Sequence, residues 1–413
     1  ATACASCADR VMIAISPGNA TFLAYKSYAL NSAGRFNESI EAADRATALD
    51  PGNAVAWNNK GFALSALGRL DESLAAYTKA VELDPKNAAA LTNRGYVLLT
   101  LGRYEDAVAD FDRAIRLQPN YSAALSYRAL AFLQQGQFES ALSDATRAAT
   151  IDPKNAGAWT TGGRALLEKG QFRNASAYFD NALRITPDAP DVWLQKGIAL
   201  FMERMYEDAI TAFDRVLALS PGNLQAWQYK VSSLVRLGRG QEAVRAIDRA
   251  LRTDPWNTTL LLRKASALVL LNRPGEADLA LSRILEKDPR NYDALVMRGT
   301  IQLSANDYLG AIKTFEGLQQ SGRDTDESFV YLGIAYYRSG QYEKALSVYN
   351  RLLERYPASS VTWSNRGYAL AKLGRIQDAI KSFDRALALD PSNTDARIGR
   401  YEAMRILWPS YRP

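Results

Sequence analysis

The chain has 413 residues, 47% hydrophobic and 23% charged, with a net charge of +6; that is the balance of a folded protein. Acids and bases are interspersed rather than gathered on one stretch, which argues against a nucleic-acid-binding face, and no apolar run approaches the roughly 20 residues that span a bilayer. Histidine is absent and the only cysteines are Cys4 and Cys7, which removes the commonest general base and the commonest zinc ligand.

Residues 1–19 read as one helix ended by Pro17. Its segment ASCADRVMIAISP, at 5–17, aligns with ALSDATRAATIDP at 141–153, the second helix of a later helix pair. The first helix of its own pair is missing from the sequence. The start at Ala1, Thr2 and Ala3 suits a cleaved signal peptide and a trimmed start equally. Cys4 and Cys7 have the spacing of a thiol redox motif, but no βαβ pattern surrounds them. They read as a local disulfide or as two free thiols.

From residue 20 onward the sequence repeats. Prolines stand at 17, 51, 85, 119, 153, 187, 221, 255, 289, 357 and 391, and Arg323 fills the one empty place on that grid. Eleven periods of 34 residues without insertion or deletion mean a stacked repeat array over 20–393. Each unit predicts a helix A and a helix B. Small residues recur at its eighth position (Gly61, Gly95, Ala129, Gly163), where they let the two helices approach. Glycines at the fifteenth, such as Gly68 and Gly102, suit the left-handed conformation that closes helix A. Asn272 and Asn306 take that place in two units, while Arg204 suggests an altered turn. The proline ends helix B. Asn19, Asn53, Asn87, Asn155, Asn223, Asn257, Asn291 and Asn393 then stand where the next helix A needs an N-cap. In the unit 292–325, Gln302 takes an apolar place and Gly310 and Gly317 fall within helix B; a hinge or ordinary repeat degeneracy would each explain this.

The unit AVAWNNKGFALSALGRLDESLAAYTKAVELDPKN at 54–87 resembles the tetratricopeptide repeat at Trp57, Gly61, Leu64, Ser73, Tyr77, Ala80 and Pro85. Trp159, Trp193, Trp227 and Trp363 repeat Trp57. The resemblance covers the whole chain. It implies an all-α, right-handed superhelical solenoid of helix-turn-helix repeats that binds protein partners. It also implies a ligand groove lined by the second, fifth, ninth, twelfth and thirteenth residues of helix A. The groove candidates are Tyr28, Phe62, Tyr96, Leu130, Arg164, Ile198, Ile334 and Tyr368 at the ninth position, with Leu99, Leu133, Phe201 and Tyr337 at the twelfth. The Asn and Lys/Arg pattern of carboxylate-gripping members is missing. An apolar, hydroxyl-lined groove remains, serving either a partner segment or tighter helix packing.

Residues 394–413 fill a helix A position with no helix B after them. They read as a solvating cap, or as the complement of the half-repeat at 1–19. In the second case copies stack head-to-tail through Val11, Met12, Ile13 and Ile15 on one side and Arg397, Tyr401, Met404, Leu407 and Trp408 on the other. Five sequons, at Asn19, Asn37, Asn120, Asn174 and Asn257, all fall at predicted turns, where chance alone gives roughly two sequons in the chain. The recurring carboxylates, such as Asp44, Asp112, Asp180, Asp214, Asp248 and Asp384, read as scaffold because they repeat with the unit. The sequence therefore predicts a non-enzymatic interaction and assembly protein without metal or cofactor. It is either exported, at the cell surface or beyond, with covalent N-glycans and self-association, or a monomeric cytoplasmic scaffold holding a partner peptide or helix.

Overall fold

The structure, a computed structural model, describes residues 18–320 and 326–408. The predicted helix over 1–17, with Cys4, Cys7, Val11, Met12, Ile13 and Ile15, and the grid position Arg323 lie outside the described residues. Among the described residues there are 23 α-helices and no strand. They alternate as the period requires, for example Ala54–Ala66 then Leu70–Leu83, and the fold is a solenoid of helical repeats.

Local chemistry sets each boundary. Asn53 accepts a hydrogen bond from the Ala56 amide at 3.0 Å, and all eight predicted asparagine caps do the same for the third residue of their helix. At the other end Gly68, at φ +75°, turns the chain so that the Arg69 amide reaches back to the Leu64 carbonyl at 2.9 Å. Arg204 does not alter this turn. It adopts φ 66° in the same place, beside Asn272 at 56° and Asn306 at 61°, because the flanking helices fix the turn whatever residue stands there.

The eighth-position glycines have a partner. A Cβ on Gly95 would lie 2.6 Å from the Phe111 ring, on Gly163 2.6 Å from Phe179, on Gly197 2.5 Å from Phe213 and on Gly367 2.6 Å from Phe383. Each ring stands sixteen residues later, on helix B of the same repeat, and is fully buried. Where the eighth residue has a side chain, the facing residue is aliphatic: Ala129 opposite Ala145, Ala265 opposite Leu281 and Val231 opposite Ile247. The pair keeps its volume while its members change.

Neighbouring repeats are tied by charge. In several repeats the basic residue at position seven pairs with the acid at position 25 of the preceding repeat: Lys60 with Asp44 at 2.6 Å, Lys196 with Asp180 at 2.6 Å, Lys264 with Asp248 at 2.7 Å, and Arg400 with Asp384; Arg94 pairs instead with Asp110 of its own repeat at 2.6 Å. This is the work of the recurring aspartates. Where position seven is Leu332, the Tyr336 hydroxyl donates to Glu316 instead. Tryptophans at position four donate their indole N–H to the proline carbonyl six residues back, as in Trp57 to Pro51 at 3.1 Å and Trp193 to Pro187 at 2.8 Å.

Contacts divide the chain into two units, residues 1–229 and 230–413. In the first, helix A of each described repeat packs on its own helix B, and the A helices from Ala20–Ser32 to Pro190–Met202 pack on one another in order, with cores around Phe111, Leu125 and Phe179. In the second, one core runs from Phe315 through Phe329, Tyr349 and Phe383 to Ala403. Burial pushes the Tyr77 and Tyr349 phenols up well above their ordinary pKa. The Gln302 side chain accepts from Thr314 at 2.8 Å, which accounts for a polar group in an apolar place.

Candidate binding faces on the A helices

Of the twelve groove candidates, three stand out into solvent: Tyr28 at 63% exposure, Phe62 at 46% and Tyr96 at 41%. They are the ninth residues of three successive A helices, so they form one stripe within the first unit. Tyr25 and Val55, which the ninth and twelfth positions leave out, are exposed on the same helices. Tyr96 meets the ring of Tyr127 in the next repeat at 4.9 Å. Burial, with the neighbouring Tyr96 and Tyr121, holds the Tyr127 phenol above its ordinary pKa.

The other candidates serve packing to different degrees. Leu133 and Ile198 are buried, at 7% and 9% exposure, and leave the list of binding residues. Leu133 packs with Ala141 and Ala165. Phe201 is wedged between Tyr206 at 5.5 Å and Tyr229 at 5.3 Å. Tyr337 sits edge-on to Tyr342, and Tyr368 donates its hydroxyl to the Asp395 carbonyl at 2.7 Å. Leu99, Leu130, Arg164 and Ile334 are half-buried.

A second face lies in the second unit. Between Thr258–Leu270 and Tyr292–Ser304 there is a cleft of about 560 Å³, lined by Ser266, Val269, Leu270, Met297, Thr300 and Ile301. It opens because position nine, filled by aromatic rings at Tyr28, Phe62 and Tyr96, carries the short side chains of Ser266 and Thr300 here. Leu270 stands at its rim, 75% exposed. A run of hydroxyl residues at position nine, Ser232, Ser266 and Thr300, is the sequence signal for this cleft.

The remaining predicted sites divide as follows. On Thr394–Leu407, the face formed by Ala396, Gly399 and Ala403 packs on the two preceding helices. Arg397 takes the tryptophan position and donates to the Pro391 carbonyl at 2.9 Å. Tyr401, Met404 and Leu407 are half-buried, and Trp408 is exposed, as are Ile398 and Ile406, which the sequence reading did not single out. Among the sequons, Asn37, Asn120 and Asn174 are exposed. Asn37 and Asn174 lie in the first turns of Phe36–Leu49 and Phe172–Ile185 rather than in the turns before them, since helix B begins at once after the left-handed residue and its neighbour. Asn19 is exposed and caps its helix. Asn257 is half-buried, with its oxygen capping Leu260 and its nitrogen on Asp254 at 3.0 Å.

Among the described residues no group of three or more Cys, Asp or Glu side chains could hold a metal ion, and no helix is long and apolar enough to cross a membrane. The tetratricopeptide-repeat profile matches residues 26–88, 58–122, 92–156, 160–223 and 332–394, together more than half of the chain. The profile of the cytochrome c-type biogenesis protein H TPR domain matches 207–329. TPR repeat-containing protein MJ1428 of Methanocaldococcus jannaschii is 28% identical over 101 residues, 24% of this chain and 18% of its own length. The TPR repeat-containing thioredoxin TTL4 of Arabidopsis thaliana is 40% identical over 60 residues, 14% of this chain and 9% of its own length. This chain thus spans less than a fifth of either relative. Among solved structures, a tetratricopeptide repeat protein from Parabacteroides merdae has a TM-score of 0.44 at 19% identity, covering 60% of this chain and 98% of that one. The Cut9–Hcn1 hetero-tetramer of the APC/C gives 0.41 at 15% identity, covering 96% and 92%.

Proposed function

Because the chain belongs to the tetratricopeptide-repeat family, we propose that it is a protein-interaction scaffold that grips a partner segment on its A-helix face. The observation that carries this is the cleft of about 560 Å³ at positions nine, twelve and thirteen of the repeat 258–291, walled by Val269, Leu270, Met297 and Ile301. A cleft with apolar walls and a few hydroxyls takes an aliphatic side chain and lets polar groups orient the partner's backbone. The test fills it. Peptides selected from a random library for binding to the protein are titrated against Thr300→Trp and Ser266→Trp. Loss of binding of at least about tenfold supports the reading, since an interface anchor is worth upwards of about 1–2 kcal/mol. Selected peptides that bind both variants as tightly as the parent chain refute it.

A second reading, self-association, is favoured by the exposed Ile398 and Ile406 on Thr394–Leu407 and by Trp408 just after it, which bury apolar area if a second copy covers them. Export and N-glycosylation, at the exposed Asn37, Asn120 and Asn174, belong with that reading. Sedimentation of the native protein and of Ile406→Asp tests it. A concentration-dependent increase in mass that the substitution removes supports association, and one species of monomer mass at every concentration refutes it.

A further inference from the structure

The first four A helices, Ala20–Ser32, Ala54–Ala66, Ala88–Thr100 and Ser122–Gln134, carry one charged residue each: Lys26, Lys60, Arg94 and Arg128. All four stand at position seven. Lys60 reaches Asp44 at 2.6 Å, Arg94 reaches Asp110 at 2.6 Å, and Arg128 bridges Asp112 and Asp144, so these charges are spent on the helix B side. Lys26 is half-buried, and the ninth-position residues of the four repeats, Tyr28, Phe62, Tyr96 and Leu130, carry no charge in a chain that is 23% charged. The fifth A helix, Ala156–Glu168, ends that stretch with Arg164 and Glu168.

Three of these uncharged residues form the aromatic stripe. Tyr28, Phe62 and Tyr96 stand one repeat apart, with Tyr127 set against Tyr96. The exposed hydroxyls of Tyr25, Tyr28 and Tyr96 supply donors. Neighbouring packed helices lie about 8–10 Å apart. A polyproline II helix advances about 9 Å per turn of three residues. One proline of each turn would thus meet one ring in each of the first three repeats. Such a segment has no charge to satisfy, offers carbonyl acceptors without proline N–H donors, and presents flat pyrrolidine rings to aromatic faces. Amphipathic helices ask for something else, a recessed cleft for long aliphatic anchors, and the chain has that at Ser266 and Thr300 instead.

We infer that the aromatic stripe of the repeats 20–155 is a docking surface for an uncharged, proline-rich segment in the polyproline II conformation. The inference rests on the reading of the A-helix face as a protein-binding groove, and it names the ligand class of the groove's first four repeats.

The test uses a capped oligoproline of about 12 residues, long enough at about 3.1 Å per residue to lie along four repeats. It is titrated into the whole chain by calorimetry. Saturable binding is expected, changing less than about twofold when salt is raised, because no formal charges meet. Tyr28→Ala, Phe62→Ala and Tyr96→Ala should each weaken it about fivefold, the scale of one aromatic contact. Leu309→Ala, an exposed position in the other unit, should leave it unchanged. All three ring positions are exposed, so unaltered far-UV circular dichroism is expected and separates lost contact from lost fold. Oligoproline binding that ignores the three substitutions overturns the assignment. So does the absence of binding at millimolar peptide. If a leucine-rich helical peptide then binds and is sensitive to the same substitutions, the groove reading stands and the polyproline assignment alone falls. The cleft-filling variants test the groove reading separately.

Discussion

Replacing Gly95 by alanine places a methyl group where Phe111 already is. The new Cβ would lie 2.6 Å from one ring carbon and 3.0 Å from two others, and Phe111 is fully buried and cannot swing away. Alanine gains about 1 kcal/mol over glycine as a helix former. Overpacking a closed core costs about 1–3 kcal/mol. An approach of 2.6 Å to a buried ring calls for the upper part of that range, so the net expectation is a loss of about 1–2 kcal/mol. Phe111→Leu alone leaves a cavity and costs a similar amount. The two together recreate the pair that the chain already uses at Ala265 and Leu281, so the double variant should recover about 1 kcal/mol or more relative to the sum of the single changes. Repeat arrays lose all-or-none unfolding easily, so guanidinium denaturation should be paired with hydrogen exchange on Ala88–Thr100 and Tyr104–Leu117, where the effect is local. A Gly95→Ala variant as stable as the parent chain refutes the volume argument. So do single effects that add without coupling.

Arg204 holds a left-handed backbone at φ 66°, which costs a non-glycine residue about 1 kcal/mol; Arg204→Gly should stabilise the protein by about that much in denaturant, and a destabilised variant would show that the arginine side chain matters to the turn. Burial, and then the bond to Glu316, push the Tyr336 phenol up to about 12. Unfolded phenols ionise near pH 10, so between about pH 10 and 12 the unfolded chain binds fewer protons. The stability contribution is complete below pH 10 and is lost as pH rises through the folded pKa. Buried Tyr77 and Tyr349 act in the same direction. The unfolding midpoint in denaturant should fall between pH 9 and pH 11, and a flat profile there contradicts the burial argument.

What was legible in the sequence was what acts through local backbone chemistry. The eight asparagine caps, the prolines and the left-handed glycines each serve their own turn, and the structure puts every described one where the period places it. Arg204 was misread for the same reason in reverse, since its identity argues against a turn that the flanking helices impose regardless. The groove was harder. Whether a ninth- or twelfth-position side chain is covered depends on two repeats at once, as with Tyr127 beside Tyr96 or Tyr229 beside Phe201. Ile198 and Leu133 look like Tyr28 in a list of positions and differ only in their neighbours. The glycine–aromatic pairs recur at a spacing of sixteen and could have been found by comparing those two columns of the repeat.

The charge pairs between positions seven and 25 amount to a joining code. A repeat carries its own internal fit, the eighth residue against the ring on helix B, and would bring that along if duplicated or lost. What it cannot bring is its neighbour's acid. Excising residues 156–189 would set Lys196 beside Thr146 and strand its ammonium, whereas excising 122–189 would set it beside Asp112 and restore a pair. Copy number in this array is therefore free to drift at some seams and held at others, and the seams that tolerate change can be read from two columns of the repeat.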